Sequence, residues 1–112
     1  MPKRHTLHIL PRAEDDVAVI YSWLLARSQI GARNWFHAFE QMLDRVENTP
    51  EPFSEAPEAK ELDRPLKQAL FKAPKGRTYR AVFIMDDQFN VFILRLRGAV
   101  LCPLYNRHVL AK

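Results

Sequence analysis

The stretch Thr78-Tyr79-Arg80-Ala81-Val82-Phe83-Ile84-Met85-Asp86-Asp87-Gln88-Phe89-Asn90-Val91-Phe92-Ile93-Leu94-Arg95-Leu96 decides the architecture. Two runs rich in Val, Ile, Phe and Tyr, 78–85 and 91–96, flank a polar segment with turn chemistry, the pattern of adjacent strands. Both runs are apolar on both parities: Val82 and Ile84 against Phe83 and Met85, and Val91 and Ile93 against Phe92 and Leu94. A strand with one wet face would alternate, so both faces of this sheet must be covered. Just upstream, 66–71 reads as a third strand and 72–77, with Lys75-Gly76, as the turn that makes the three a meander.

Towards the N-terminus, His5-Thr6-Leu7-His8-Ile9-Leu10 alternates polar and apolar residues, which predicts a short strand with Leu7 and Ile9 inward, ended by Pro11. Glu14, Asp15 and Asp16 then open a helix, and the helix dipole alone accounts for these acids. Its stripe is Val17, Ile20, Tyr21, Leu24 and Leu25. Gly31 supplies a stop, and a second helical stripe follows at Trp35, Phe36, Phe39, Met42, Leu43 and Val46. So short a connection predicts an antiparallel helical hairpin. Residues 48–63, with Pro50, Pro52 and Pro57, read as a connecting loop. The order β-α-α-β-β-β predicts a single α+β domain over 1–112, with the hairpin packed on one face of a small, mainly antiparallel sheet. The other face then needs the chain's own tail, a second copy or a foreign partner.

A chain of 112 residues with 47% hydrophobic residues has room for one core, and its three Tyr, two Trp and seven Phe are too many for a disordered chain. No apolar run approaches a membrane span, the basic start lacks the apolar segment of a secretory signal, and the lone Cys102 allows no internal disulfide; the expectation is a cytoplasmic protein. The formal charge of +4 hides an asymmetry. Residues 1–63 carry 7 Lys and Arg against 11 Asp and Glu, a balance of −4, whereas 64–112 carry 10 against 2, a balance of +8. The second half is where a polyanion or an acidic protein segment would bind.

There is no phosphate-binding loop, dinucleotide fingerprint or nucleophile elbow. His5, His8, His37, His108 and Cys102 lack metal-ligand spacing, so neither a metal nor a cofactor is expected. Asp86-Asp87 is turn chemistry. Tyr21, Trp35 and Phe36 fall on helix stripes and read as core, while Trp23 lies off its stripe. What remains is the basic set Lys67, Lys72, Lys75, Arg77, Arg80, Arg95, Arg97 and Arg107. Its plainest explanation is a solvated surface with charged residues guarding hydrophobic strands. Arg80, however, lies inside a strand beside an apolar run, where an unpaired charge is costly unless the face is wet or receives an anion. Arg95 and Arg97 share a parity and put two cations at one sheet edge, suited to phosphate or to an acidic peptide.

Several segments together resemble the RelE/ParE superfamily of toxins from type II toxin–antitoxin systems: Ala13-Glu14-Asp15-Asp16-Val17 with Ile20-Tyr21, then Ala38-Phe39-Glu40 with Thr49-Pro50, then Leu66-Lys67-Gln68, then Lys75-Gly76-Arg77-Thr78-Tyr79-Arg80-Ala81-Val82-Phe83, and the closing Val91-Phe92-Ile93-Leu94-Arg95-Leu96-Arg97-Gly98. The resemblance runs from about Leu7 to Gly98 and implies a growth-inhibiting toxin, neutralised by a cognate antitoxin whose extended acidic or amphipathic tail wraps it, alone or in a homodimer or hetero-oligomer. One branch of the family cleaves mRNA at the ribosome without a metal, using Lys, Arg and Tyr; the other poisons DNA gyrase without being a nuclease. On the first, the resemblance makes Arg80 and Arg97 the phosphate contacts and Lys72 and Tyr105 the proton-transfer groups, with Lys67, Lys75, Arg77 and Arg95 holding nucleic acid or the acidic partner. The apolar Ala99-Val100-Leu101-Cys102-Pro103 stands where that pattern expects an arginine, and Arg95-Leu96-Arg97-Gly98 is closer to the ParE-like branch. A third alternative is an antitoxin-binding module that has lost toxicity.

Overall fold

The computed structural model describes residues 5–98. In chain order they form β1 (Thr6–Ile9), α1 (Pro11–Leu25), α2 (Gln29–Asn48), α3 (Glu58–Leu62), β2 (Lys67–Lys72), β3 (Thr78–Met85) and β4 (Asn90–Gly98). The sheet order is β1-β4-β3-β2. β2, β3 and β4 form the antiparallel meander, and β1 joins it parallel to β4, with Leu7 opposite Val91 and Ile9 opposite Ile93. The sheet is therefore mixed, because β1 reaches β4 only through the long connection that carries the helices.

The helical hairpin covers one face. Trp35, Phe39, Met42 and Val46 of α2 and Ala13 of α1 pack with Ala69, Phe71, Ala81, Phe83, Val91, Ile93 and Leu96 of the sheet in one cluster. Register breaks between Val82 and Phe83, where Arg95 faces Val82 but Ile93 faces Phe83. Leu94 is thus the extra residue of a β-bulge, which keeps Val91, Ile93 and Leu96 all on the helix side despite their unequal spacing.

Four expectations need correction. Pro11 ends the strand and also starts α1, at a position where its missing N–H costs nothing. Gly31 is inside α2, not a stop: Ser28 caps that helix, its Oγ accepting the Gly31 N–H at 2.9 Å, so the connection is only residues 26–28. The loop over 48–63 contains α3. Finally, the second sheet face is not left to a tail or a partner alone, because Ala56, Ala59 and Leu66 from this segment pack on Val82, with Ile84 and Leu94 against them. The segment is fixed at both ends, by Ala56 N–H to the Leu66 carbonyl, Gln68 N–H to the Ser54 carbonyl and a bridge between Glu55 and Lys67.

Candidate functional site

Arg80 comes from the middle of β3 and faces the second side of the sheet, in register with Arg97 on β4 and Leu70 on β2. It is 4% exposed, and a guanidinium so buried requires an anion. Glu58, the first residue of α3, provides it: Arg80 donates from Nη1 to Oε1 at 2.8 Å and from Nη2 to Oε2 at 2.7 Å, a two-pronged pair. Nε of Arg97 lies 3.4 Å from the same Oε2. One carboxylate is thus gripped by two guanidinium groups from neighbouring strands. The hydrogen bonds from Arg80 hold the Glu58 carboxyl below its ordinary value, with the charges of Arg80 and Arg97 adding to the effect against the opposing cost of burial.

Arg95 is turned elsewhere. Its Nε donates to Asp16 Oδ2 at 2.8 Å and its Nη2 to Oδ1 at 3.2 Å, and the Leu96 N–H donates to the same Oδ2 at 2.9 Å. The hydrogen bonds with Asp16 raise the Arg95 pKa above its ordinary value. Asp16 sits where β1 has ended and takes the place of a strand on the edge of β4. The helix dipole is therefore not the whole account of the acids at the start of α1. Nor do Arg95 and Arg97 act as a free pair at one edge, because different acids from α1 and α3 hold them.

Of the other predicted residues, Lys67 uses its ammonium to donate to the carbonyls of Glu51 at 2.7 Å and Phe53 at 3.0 Å, pinning the segment that covers the second face. Lys72 is exposed at the sheet edge and lines a shallow groove with His37 and Gln41 of α2. Lys75 takes the left-handed conformation in the β2–β3 turn at φ 63°, rather than the glycine beside it, and Arg77 is exposed in the same turn. Tyr105, Arg107, Cys102 and His108 lie outside the described residues. His5 pairs with Glu51 at 3.2 Å, and His8 stacks on Phe92 and contacts Asn90 Oδ1 at 3.0 Å.

The structure therefore brings Arg80 and Arg97 together and leaves Lys72 in a different groove. Glu58 and Asp16 are the functional neighbours missing from the sequence reading. The signal for Glu58 was present: a cation inside an apolar strand demands an acid, and Glu55, Glu58 and Glu61 crowd the one segment without a period. Two guanidinium groups around one carboxylate form a receptor for a planar or tetrahedral oxyanion. No protein-family model matches the chain, and no characterised protein matches it in sequence.

Proposed function

We propose that the chain is the toxin component of a type II toxin–antitoxin pair of the RelE/ParE kind, in which Arg80 and Arg97 contact the phosphates of its target. The observation that carries this is the Arg80–Glu58–Arg97 cluster: two guanidinium groups from neighbouring strands meet at one carboxylate, and the same donors suit a phosphate. The strand from Thr78 to Phe83 that places Arg80 is also one of the segments that resemble the family, and the α+β order with a helical hairpin is compatible with it. In this mechanism the arginines stabilise charge on the phosphate, Tyr105 moves protons to and from the ribose oxygens, and Lys72 joins it only where the bound strand also spans its separate groove beside α2. The cognate antitoxin contributes an acidic segment to the basic half.

A ParE-like, non-enzymatic action on gyrase is the second reading, favoured by Glu58 pairing with both arginines before any substrate arrives. Induced expression with parallel readouts of growth, mRNA integrity and DNA supercoiling separates the two. Growth arrest with cleaved mRNA is expected, and Arg97→Ala, which leaves the Arg80–Glu58 pair in place, should lower cleavage by about 100-fold with an unchanged circular dichroism spectrum. Arrest with intact mRNA and blocked supercoiling moves the assignment to gyrase. Harmless expression in the absence of any antitoxin overturns the toxin proposal.

A further inference from the structure

Helix α1 is apolar on the side where it should be polar. Residues 17–26 contain no charged residue, yet only part of that stretch faces the core. Val19 is 68% exposed and Trp23 44% exposed, and Ala18 and Ser22 beside them are exposed too. A helix on the surface of a soluble domain ordinarily gives its outer face to charged side chains. This strip instead confines charge to its two ends, with Asp15 exposed at the start and Arg27 just past the end. The Arg27 guanidinium is held over the Trp23 ring at 3.6 Å, anchored by a hydrogen bond from Nη1 to the Trp23 carbonyl.

The spacing says what covers it. Asp15, Val19 and Trp23 follow one another at intervals of four and form a single ridge along the helix, and Arg27 continues the spacing in the turn just past its end. That ridge is its own complement when turned end for end: reversal about Tyr21 sets Asp15 against Arg27, and Val19 against Trp23. Packing one such ridge alongside another is the commonest way helices cross, at about −50°. We infer that the outer face of α1 is a two-fold interface between two copies of this chain, with an apolar centre of Val19 and Trp23 and an Asp15–Arg27 ion pair at each end. A two-fold contact must be self-complementary, and this ridge is so in both charge and apolarity. A helix of 15 residues is about 22 Å long and 10 Å wide, which falls well short of the roughly 800 Å² per partner of a stable complex, so association is reversible and depends on concentration. The Arg80–Glu58–Arg97 cluster takes no part, and the inference does not rest on the toxin assignment.

Sedimentation of the full chain over a concentration series tests it, with Trp emission recorded on the same samples. The wild type should pass from monomer to dimer as Trp23 emission shifts to shorter wavelength, while Trp35 is buried throughout. Asp15→Arg and Arg27→Asp should each weaken association by about tenfold through like-charge repulsion at both ends, and the double reversal should restore it. Val19→Glu should abolish it with the fold intact by circular dichroism. A monomer at every concentration overturns the inference; if its Trp23 emission is nevertheless blue-shifted, another part of the chain covers the face. Dimers indifferent to Asp15→Arg, or single reversals that the double variant does not rescue, overturn it as well.

Discussion

Arg80 shows how much one side chain can demand of its surroundings. A cation in the interior of β3 costs several kcal/mol unless it is paired in good geometry, and the two-pronged contact to Glu58 meets that requirement with Arg97 close by. Because Glu58 titrates below its ordinary value of 4.5 in the folded chain, its contribution to stability is complete above that pH and is lost as pH falls through the lower, folded value. Glu58→Gln should therefore cost about 2 kcal/mol at neutral pH, less than for a fully buried pair because a fifth of the Glu58 side chain is exposed. The difference between the two proteins should shrink as the pH is taken well below 4.5, as urea denaturation at neutral and acid pH would show. Asp86, also held low, by the Asn90 backbone and side-chain amides, titrates alike in both and drops out of the comparison. A difference that stays constant with pH would separate Glu58 from the charge of Arg80. The need for an anion at Arg80 was legible in the sequence. Its identity was not, since the two residues are 22 apart and Glu58 lies in a segment with no period to place it.

Among the elements, those with strong periodicity were legible and those defined by a few polar contacts were not. The stripes of α1 and α2 and the β3–β4 hairpin follow directly from apolar spacing. The short α3 has five residues and no stripe, and its place is set by Ala56, Ala59 and the Glu58 pair rather than by helix propensity. Gly31 misleads because a glycine reads as a stop, whereas the Ser28 hydroxyl three residues earlier makes it part of a capped first turn. The bulge at Leu94 has no sequence signature, yet it sets which side of β4 each residue takes. The junction of α1 with β4 rests on Asp16, which accepts from Arg95 and from the Leu96 backbone. Asp16→Asn keeps the shape but loses the charge and one acceptor, and should lower stability by about 2 kcal/mol, equivalent to about 8 °C in melting temperature. Arg95→Gln should cost less, because Asp16 still closes the strand edge. Equal losses in the two variants would mean that the salt bridge, not the edge cap, carries the effect.

In the molecule as a whole, the charge asymmetry of the sequence turns out to be partly internal. The acids Asp16 and Glu58 belong to the negative half and the arginines Arg80, Arg95 and Arg97 to the positive one, so the helices and the sheet dock as complementary surfaces. Less of the +8 is therefore available to a partner than the count implies, and what Arg80 and Arg97 can offer depends on Glu58 letting go. The 54–66 segment is the element that would have to move. It holds the second face with a small cluster, Ala56, Ala59 and Leu66 on Val82, whereas the helix side buries Trp35, Phe39, Phe71 and Phe83. Native-state hydrogen exchange should accordingly reveal two levels of protection. Amides of β3 and β4 where each strand is paired on both sides, 79–83 and 91–93, should exchange only through global unfolding. Those bonded within the covering segment, Ala56 to the Leu66 carbonyl and Ala59 to the Ala56 carbonyl, should open at least about 2 kcal/mol more easily. Glu58→Gln should lower that local opening energy further than it lowers the global one, because it removes the charge and one of the two acceptors through which α3 holds Arg80. If the segment and β3 instead exchange as a single unit, the cover is permanent, Glu58 is structural, and the two arginines are closed to any outside anion.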